Sequence, residues 1–114
     1  MKLFEYEAKD ILRRYGIGIP SGTVAESPEE VAAIAERMGG PVVLKAQVLV
    51  SGRGKAGGIV FAGNPEEARV SATKLLGSSI KGIKVESLLV EEKLSLAKQY
   101  YASVTIDRQA RRYV

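Results

Sequence analysis

Between Lys45 and Gly58 the chain reads Lys-Ala-Gln-Val-Leu-Val-Ser-Gly-Arg-Gly-Lys-Ala-Gly-Gly, with the apolar runs Val42-Val43-Leu44 before it and Ile59-Val60-Phe61 after it. A β-branched strand thus delivers a lysine into a loop holding four glycines and two further cations, and a second strand leaves the loop. Glycine lets a backbone approach a ligand closely, and free N–H groups beside Lys and Arg suit an anion with several oxygens. The combination points to a polyphosphate, most directly a nucleotide.

The glycine pattern has look-alikes, and the segment after the loop sorts them. Gly52-x-Gly54-x-x-Gly57 fits the dinucleotide fingerprint, but that fingerprint requires a helix to open directly after it. Here Gly58-Ile59-Val60-Phe61-Ala62 is a short apolar strand, which disfavours a Rossmann unit. The Walker A pattern fails as well, because Lys55 is followed by Ala56 where a hydroxyl should meet Mg²⁺. What remains is strand, glycine loop, strand, a flap laid over phosphates as in the glycine loop of kinases. The competing reading is a glycine-rich hairpin tip with ordinary surface cations.

Composition removes several chemistries. The 114 residues fit one domain, and 46% hydrophobic content is ordinary for a globular core. No cysteine means no disulfide framework and no thiolate; no histidine removes the commonest metal ligand and general base. No apolar run approaches the roughly 18 residues of a membrane helix, and the acidic start is no signal peptide. A cytoplasmic protein is expected, without a membrane partner. A net charge of +4, with Arg108, Arg111 and Arg112 close together, raises nucleic acid as a partner. The five Tyr and two Phe do not interleave with the cations as a stacking platform would, so a small basic nucleic-acid-binding module stays an alternative only.

Helices and strands alternate along the chain. Phe4, Ala8, Ile11, Leu12 and Tyr15 recur at helical spacing before Gly16, predicting a first helix with an apolar face. Ser27-Pro28-Glu29-Glu30 and Asn64-Pro65-Glu66-Glu67 are helix starts with N-cap, first-position Pro and acidic first turn. They predict helices to Met38 and to about Leu76. Strands are expected over 23–25, 42–47, 59–61 and 83–91, and a β-rich run over 100–106 before a turn at 107–112. Tyr113-Val114 begins another apolar segment, so Val114 is expected to be the edge of a fragment.

Lys45 is the sharpest single residue, since Lys is rarely buried unless paired. It reads as an ammonium aimed at a phosphate from a rigid strand, against a lysine on a polar strand face. Glu91, at the end of Leu88-Leu89-Val90, could take a ribose hydroxyl or base amine; spacing alone favours a solvated strand end. The pairs Glu29-Glu30 and Glu66-Glu67 are explained by the helix dipole.

Taken together, Leu3-Phe-Glu-Tyr-Glu-Ala-Lys9, Lys45-Ala-Gln-Val, Gly52-Arg-Gly-Lys-Ala-Gly-Gly58, Leu89-Val-Glu91 and Ile106-Asp-Arg108 resemble the succinyl-CoA synthetase β subunit in order and spacing. The resemblance covers essentially the whole chain and implies an α/β, ATP-grasp fold, mostly its smaller nucleotide-binding lobe: a mixed sheet with flanking helices. Residues 1–20 would be a leading helix and connection, 21–94 the small lobe with the glycine loop, and 95–114 the start of a second lobe. It implies a ligase in which a nucleoside triphosphate phosphorylates a histidine, the phosphate passes to succinate, and CoA displaces it. The histidine and the main CoA site would belong to a partner α subunit. Nucleotide contacts would fall on Lys45, Gly52, Arg53, Gly54, Glu91, the backbone of Leu94, and Gln99, where relatives often carry Glu. The cofactor would be Mg-ATP or Mg-GTP, with the Mg²⁺ ligands outside these residues and no catalytic residue among them. A malate–CoA ligase or a citrate-cleaving enzyme would share the segment.

Overall fold

The computed structural model describes residues 1–114. The elements run α1 (Glu5–Arg14), β1 (Gly22–Ala25), α2 (Pro28–Met38), β2 (Val42–Ala46), β3 (Ile59–Ala62), α3 (Pro65–Leu75), β4 (Ser79–Ile80), β5 (Ile83–Lys84), β6 (Leu88–Glu92), β7 (Ile106–Asp107) and β8 (Arg112–Tyr113). Strands β1, β6, β2 and β3 form one sheet in that order. Every pairing in it is antiparallel, where the family resemblance implies a mixed sheet.

Helices α2 and α3 lie against each other and cover one face of this sheet. Their starts follow the sequence signals: Ser27 Oγ accepts from the Glu30 N–H at 3.2 Å, and Asn64 Oδ1 from the Glu67 N–H at 2.9 Å. The acidic partners reach one residue further out than a capping box requires. Glu30 accepts from the Glu26 N–H and Glu67 from the Gly63 N–H. Alanines at 32, 35, 68 and 72 are buried and let the two helices approach closely.

Strand alternation sends Val42, Leu44 and Ala46 of β2 and Leu88 and Val90 of β6 beneath the helices, all of them essentially inaccessible. Burying a leucine such as Leu44 or Leu88 contributes about 1.5–3 kcal/mol. The cluster runs from Ala25 to Val90 and includes Val31, Ile34, Leu75 and Val85.

Three expectations change. The strand expected over 83–91 is interrupted: Ile83–Lys84 folds back on Ser79–Ile80 through Lys81 and Gly82, both at positive φ, and only Leu88–Glu92 joins the main sheet. The β-rich run over 100–106 pairs only at its end, where Ile106–Asp107 meets Arg112–Tyr113; Tyr100, Tyr101 and Val104 have no partner strand and are exposed. Helix α1 forms where expected but buries none of its residues, and Ile11, Leu12 and Tyr15 are exposed. No helix is long and apolar enough to cross a membrane.

Candidate functional site

The sheet face opposite α2 and α3 is polar where it matters. The β2–β6 register sets Val43 against Glu91 and Lys45 against Leu89, so Lys45 and Glu91 are diagonal neighbours on this face. Lys45 Nζ lies 2.6 Å from a Glu91 carboxylate oxygen. Helix α1 contributes Glu5 and Lys9, one turn apart: Lys9 lies 2.6 Å from Glu91 and 2.8 Å from Glu5, and Glu5 lies 3.0 Å from Lys45. Arg53 enters from the glycine loop, paired with Glu5 and donating to the Ala46 carbonyl at 3.0 Å. Three cations thus share two carboxylates.

Burial sets the electrostatics. The Glu91 side chain is 2% exposed, while those of Glu5, Lys9, Lys45 and Arg53 are 17–20% exposed. Burial pushes the Glu91 carboxyl up, but hydrogen bonds from Lys45 and Lys9, with the charges of the same two lysines, outweigh it and hold the group below its ordinary value. Desolvation lowers Lys9, assisted by the neighbouring charge of Lys45 and opposed by Glu91. Arg53 is lowered by desolvation, against the attraction of Glu91.

The glycine loop is a compact double turn above this cluster. Gly52 and Gly57 take φ of +69° and +82°, and the Gly58 N–H closes on the Arg53 carbonyl at 2.8 Å. That carbonyl crowds any side chain at Gly58, where a Cβ would lie 3.1 Å from it. The β4–β5 turn holds the loop from the other direction: Lys81 Nζ donates to the Ser51 carbonyl at 2.8 Å. Between them opens a cleft of about 870 Å³, lined by Leu3, Glu5, Val48, Ser51, Arg53 and Lys81 among others. Cations outnumber acids in its wall, which suits an anionic ligand.

Of the residues singled out in the sequence, Lys45, Arg53 and Glu91 come together, with Gly52 and Gly54 in the loop that carries Arg53. Leu94, 47% exposed, and Gln99 lie in the exposed segment after β6, and no side-chain hydrogen bond joins them to the cluster. Lys45 is neither a free surface cation nor a lone buried one. Glu5, Lys9, Gly22 and Lys81 were not singled out. Glu5 and Lys9 sit four apart on α1, a spacing that ordinarily signals a solvated helix pair. Gly22 faces Glu91 across β1–β6, and only the register reveals why it is glycine.

No group of three or more His, Cys, Asp or Glu side chains converges. The acids nearest the cleft, Glu5 and Glu91, are already held by lysine and arginine. These residues do not fit a metal ion.

The family model for the ATP-grasp domain matches residues 2–114. The chain is 55% identical over all its 114 residues to the β subunit of an ADP-forming succinate–CoA ligase from Pyrobaculum arsenaticum, covering 30% of that protein. It is 52% identical to the β subunit of a GDP-forming succinate–CoA ligase from Thermus thermophilus, again over 114 residues and 30% of its length. It therefore spans less than a third of the curated relatives it matches. Among solved structures, phosphoribosylamine–glycine ligase from Thermotoga maritima superposes with a TM-score of 0.63 at 28% identity, over 82% of this chain and 23% of that one.

Proposed function

Since this chain belongs to the ATP-grasp domain family, we propose that it supplies the phosphate-binding wall of the nucleotide site in a succinate–CoA ligase β subunit acting in the cytoplasm. The observation that carries this reading is the convergence of Lys45 and Arg53, from a rigid strand and a glycine loop, on a single carboxylate beside an open, cation-rich cleft. Two such donors suit the oxygens of a polyphosphate. Similarity along all 114 residues of this chain to named ligase β subunits supports the reaction class.

In this reading Lys45 and Arg53 hold phosphate oxygens, the backbone of Gly52 and Gly54 allows close approach, and Glu91 fixes the Lys45 ammonium. Past the end of β6, Leu94 offers its backbone and Gln99 its amide to the rest of ATP or GTP. Residues 21–94 form the smaller lobe, which the continuous core from Ala25 to Val90 supports; residues 95–114 open the second lobe. Mg²⁺, where it assists, takes ligands outside residues 1–114. A partner α subunit carries the histidine that accepts the phosphoryl group and the site that binds CoA.

The test is calorimetric titration with ATP and GTP of the wild type and of Lys45→Met and Arg53→Met. Nucleotide binding that is weakened in both variants supports the site; affinity unchanged in both removes it. Assaying the αβ complex with succinate, malate and citrate in the presence of CoA then fixes the acid.

A further inference from the structure

The two cations assigned to nucleotide phosphates are not empty-handed, because both are held by Glu5. One carboxylate oxygen of Glu5 lies 3.0 Å from Lys45 Nζ and 2.8 Å from Lys9 Nζ, and the other faces the Arg53 guanidinium. That second oxygen is inaccessible and makes no hydrogen bond outside the Arg53 pairing. A carboxylate gripped by an ammonium and a guanidinium meets the same donor set that a phosphate group would. Glu5 also lines the cleft of about 870 Å³, whereas Lys45 does not.

We infer that the Glu5 carboxylate occupies the position of a nucleotide phosphate group, and that nucleotide binding exchanges one anion for the other. The inference rests on the nucleotide-site reading above and adds a residue to that site. The exchange is sterically simple. Glu5 sits in the first turn of α1, a helix that buries no residue, so its side chain can swing away without opening the core. Glu91 stays behind, nearly inaccessible, to hold Lys9 and Lys45. With Glu5 in place three cations face two carboxylates; with it displaced they face one, and the deficit is met by the incoming polyphosphate. Glu5 thereby keeps Lys45 and Arg53 neighbours while no nucleotide is bound, and the wild type gives up that pairing when one arrives.

The experiment titrates inorganic tripolyphosphate into the full chain as wild type, Glu5→Gln, Glu5→Asp and Lys45→Met. Glu5→Gln removes the competing charge and is expected to tighten tripolyphosphate about tenfold. Glu5→Asp, whose carboxylate falls short by a methylene, is expected to lie between Glu5→Gln and the wild type. It carries the test alone should Glu5→Gln not fold, as judged by circular dichroism. In the wild type, the ¹³C resonance of the Glu5 carboxyl should move on saturation with tripolyphosphate. Equal or weaker binding by the Glu5 variants, or an unmoved carboxyl resonance, overturns the inference. If Lys45→Met binds as tightly as the wild type, it is the nucleotide-site reading that fails.

Discussion

Gly22 faces Glu91 across the β1–β6 ladder so closely that a Cβ on Gly22 would lie 2.8 Å from the Glu91 Cγ and 3.2 Å from the Val90 carbonyl oxygen. The nearest atom is the Glu91 Cγ, part-way along the side chain and not its flexible tip, so it cannot yield without moving the carboxylate. Absence of a side chain at 22 is what lets Glu91 lie flat under Lys9 and Lys45. Gly22→Ala is expected to cost about 1–3 kcal/mol of stability through overpacking, and to weaken nucleotide binding by misplacing Lys45. Gly18→Ala, which meets nothing within 4 Å, should stay within about 0.5 kcal/mol of wild type. Urea unfolding of both variants checks the contrast.

Lys45→Met should act twice. In the proposed nucleotide site it removes a charge-assisted phosphate contact worth about 1.5–3 kcal/mol of nucleotide affinity. It also leaves the buried Glu91 with Lys9 alone, so the melting temperature should fall too. Calorimetry and thermal unfolding on the same preparation separate the two effects; a variant with wild-type values in both would contradict the arrangement.

The Glu91 carboxyl sets a pH dependence. Its folded value lies below the ordinary 4.5, so the unfolded chain takes up a proton before the folded one does. The stability it contributes is complete above about 4.5 and is lost as pH falls through the lower folded value. The urea midpoint of the wild type should drop on acidification through this window, and Glu91→Gln should show a shallower drop. Parallel curves would mean that other carboxyls dominate.

Backbone conformation shapes the glycine loop. Gly52 sits at φ +69°, and a Cβ there would also approach Lys81 Nζ to 3.2 Å. Gly52→Ala should cost about 1–2 kcal/mol from the left-handed backbone alone. Lys81→Met removes the hydrogen bond to Ser51, and should speed amide exchange within residues 51–58 while leaving α2 and α3 unchanged. Exchange measured by NMR distinguishes a local release from a global loss.

Elements whose cause is local were legible in the sequence. Ser27-Pro28 and Asn64-Pro65 start their helices because cap, fixed φ and acidic first turn are chemistry of adjacent residues. Lys45 and the glycine loop were legible for the same reason. Lys9 with Glu91 and Arg53 with Glu5 were not, because each joins segments brought together only by the sheet and α1. Tyr100–Val104 misled because β propensity describes a fit to a partner surface, and no partner strand meets this run. Helix α1 shows the opposite case: its apolar spacing predicts the helix correctly, yet the side chains it turns to the sheet include Glu5 and Lys9, while Ile11 and Leu12 are exposed.

That reversal gives the molecule two kinds of fastening. Helices α2 and α3 are held by buried hydrocarbon, whereas α1 is held by ion pairs and one long hydrogen bond from the Tyr6 N–H to Gln47. A strongly hydrated salt such as sulfate strengthens the first kind, while the close, largely buried ion pairs of the second are screened little and gain little. Raising its concentration should therefore stiffen the body of the protein more than its first helix, so that a single global midpoint would average two unequal responses.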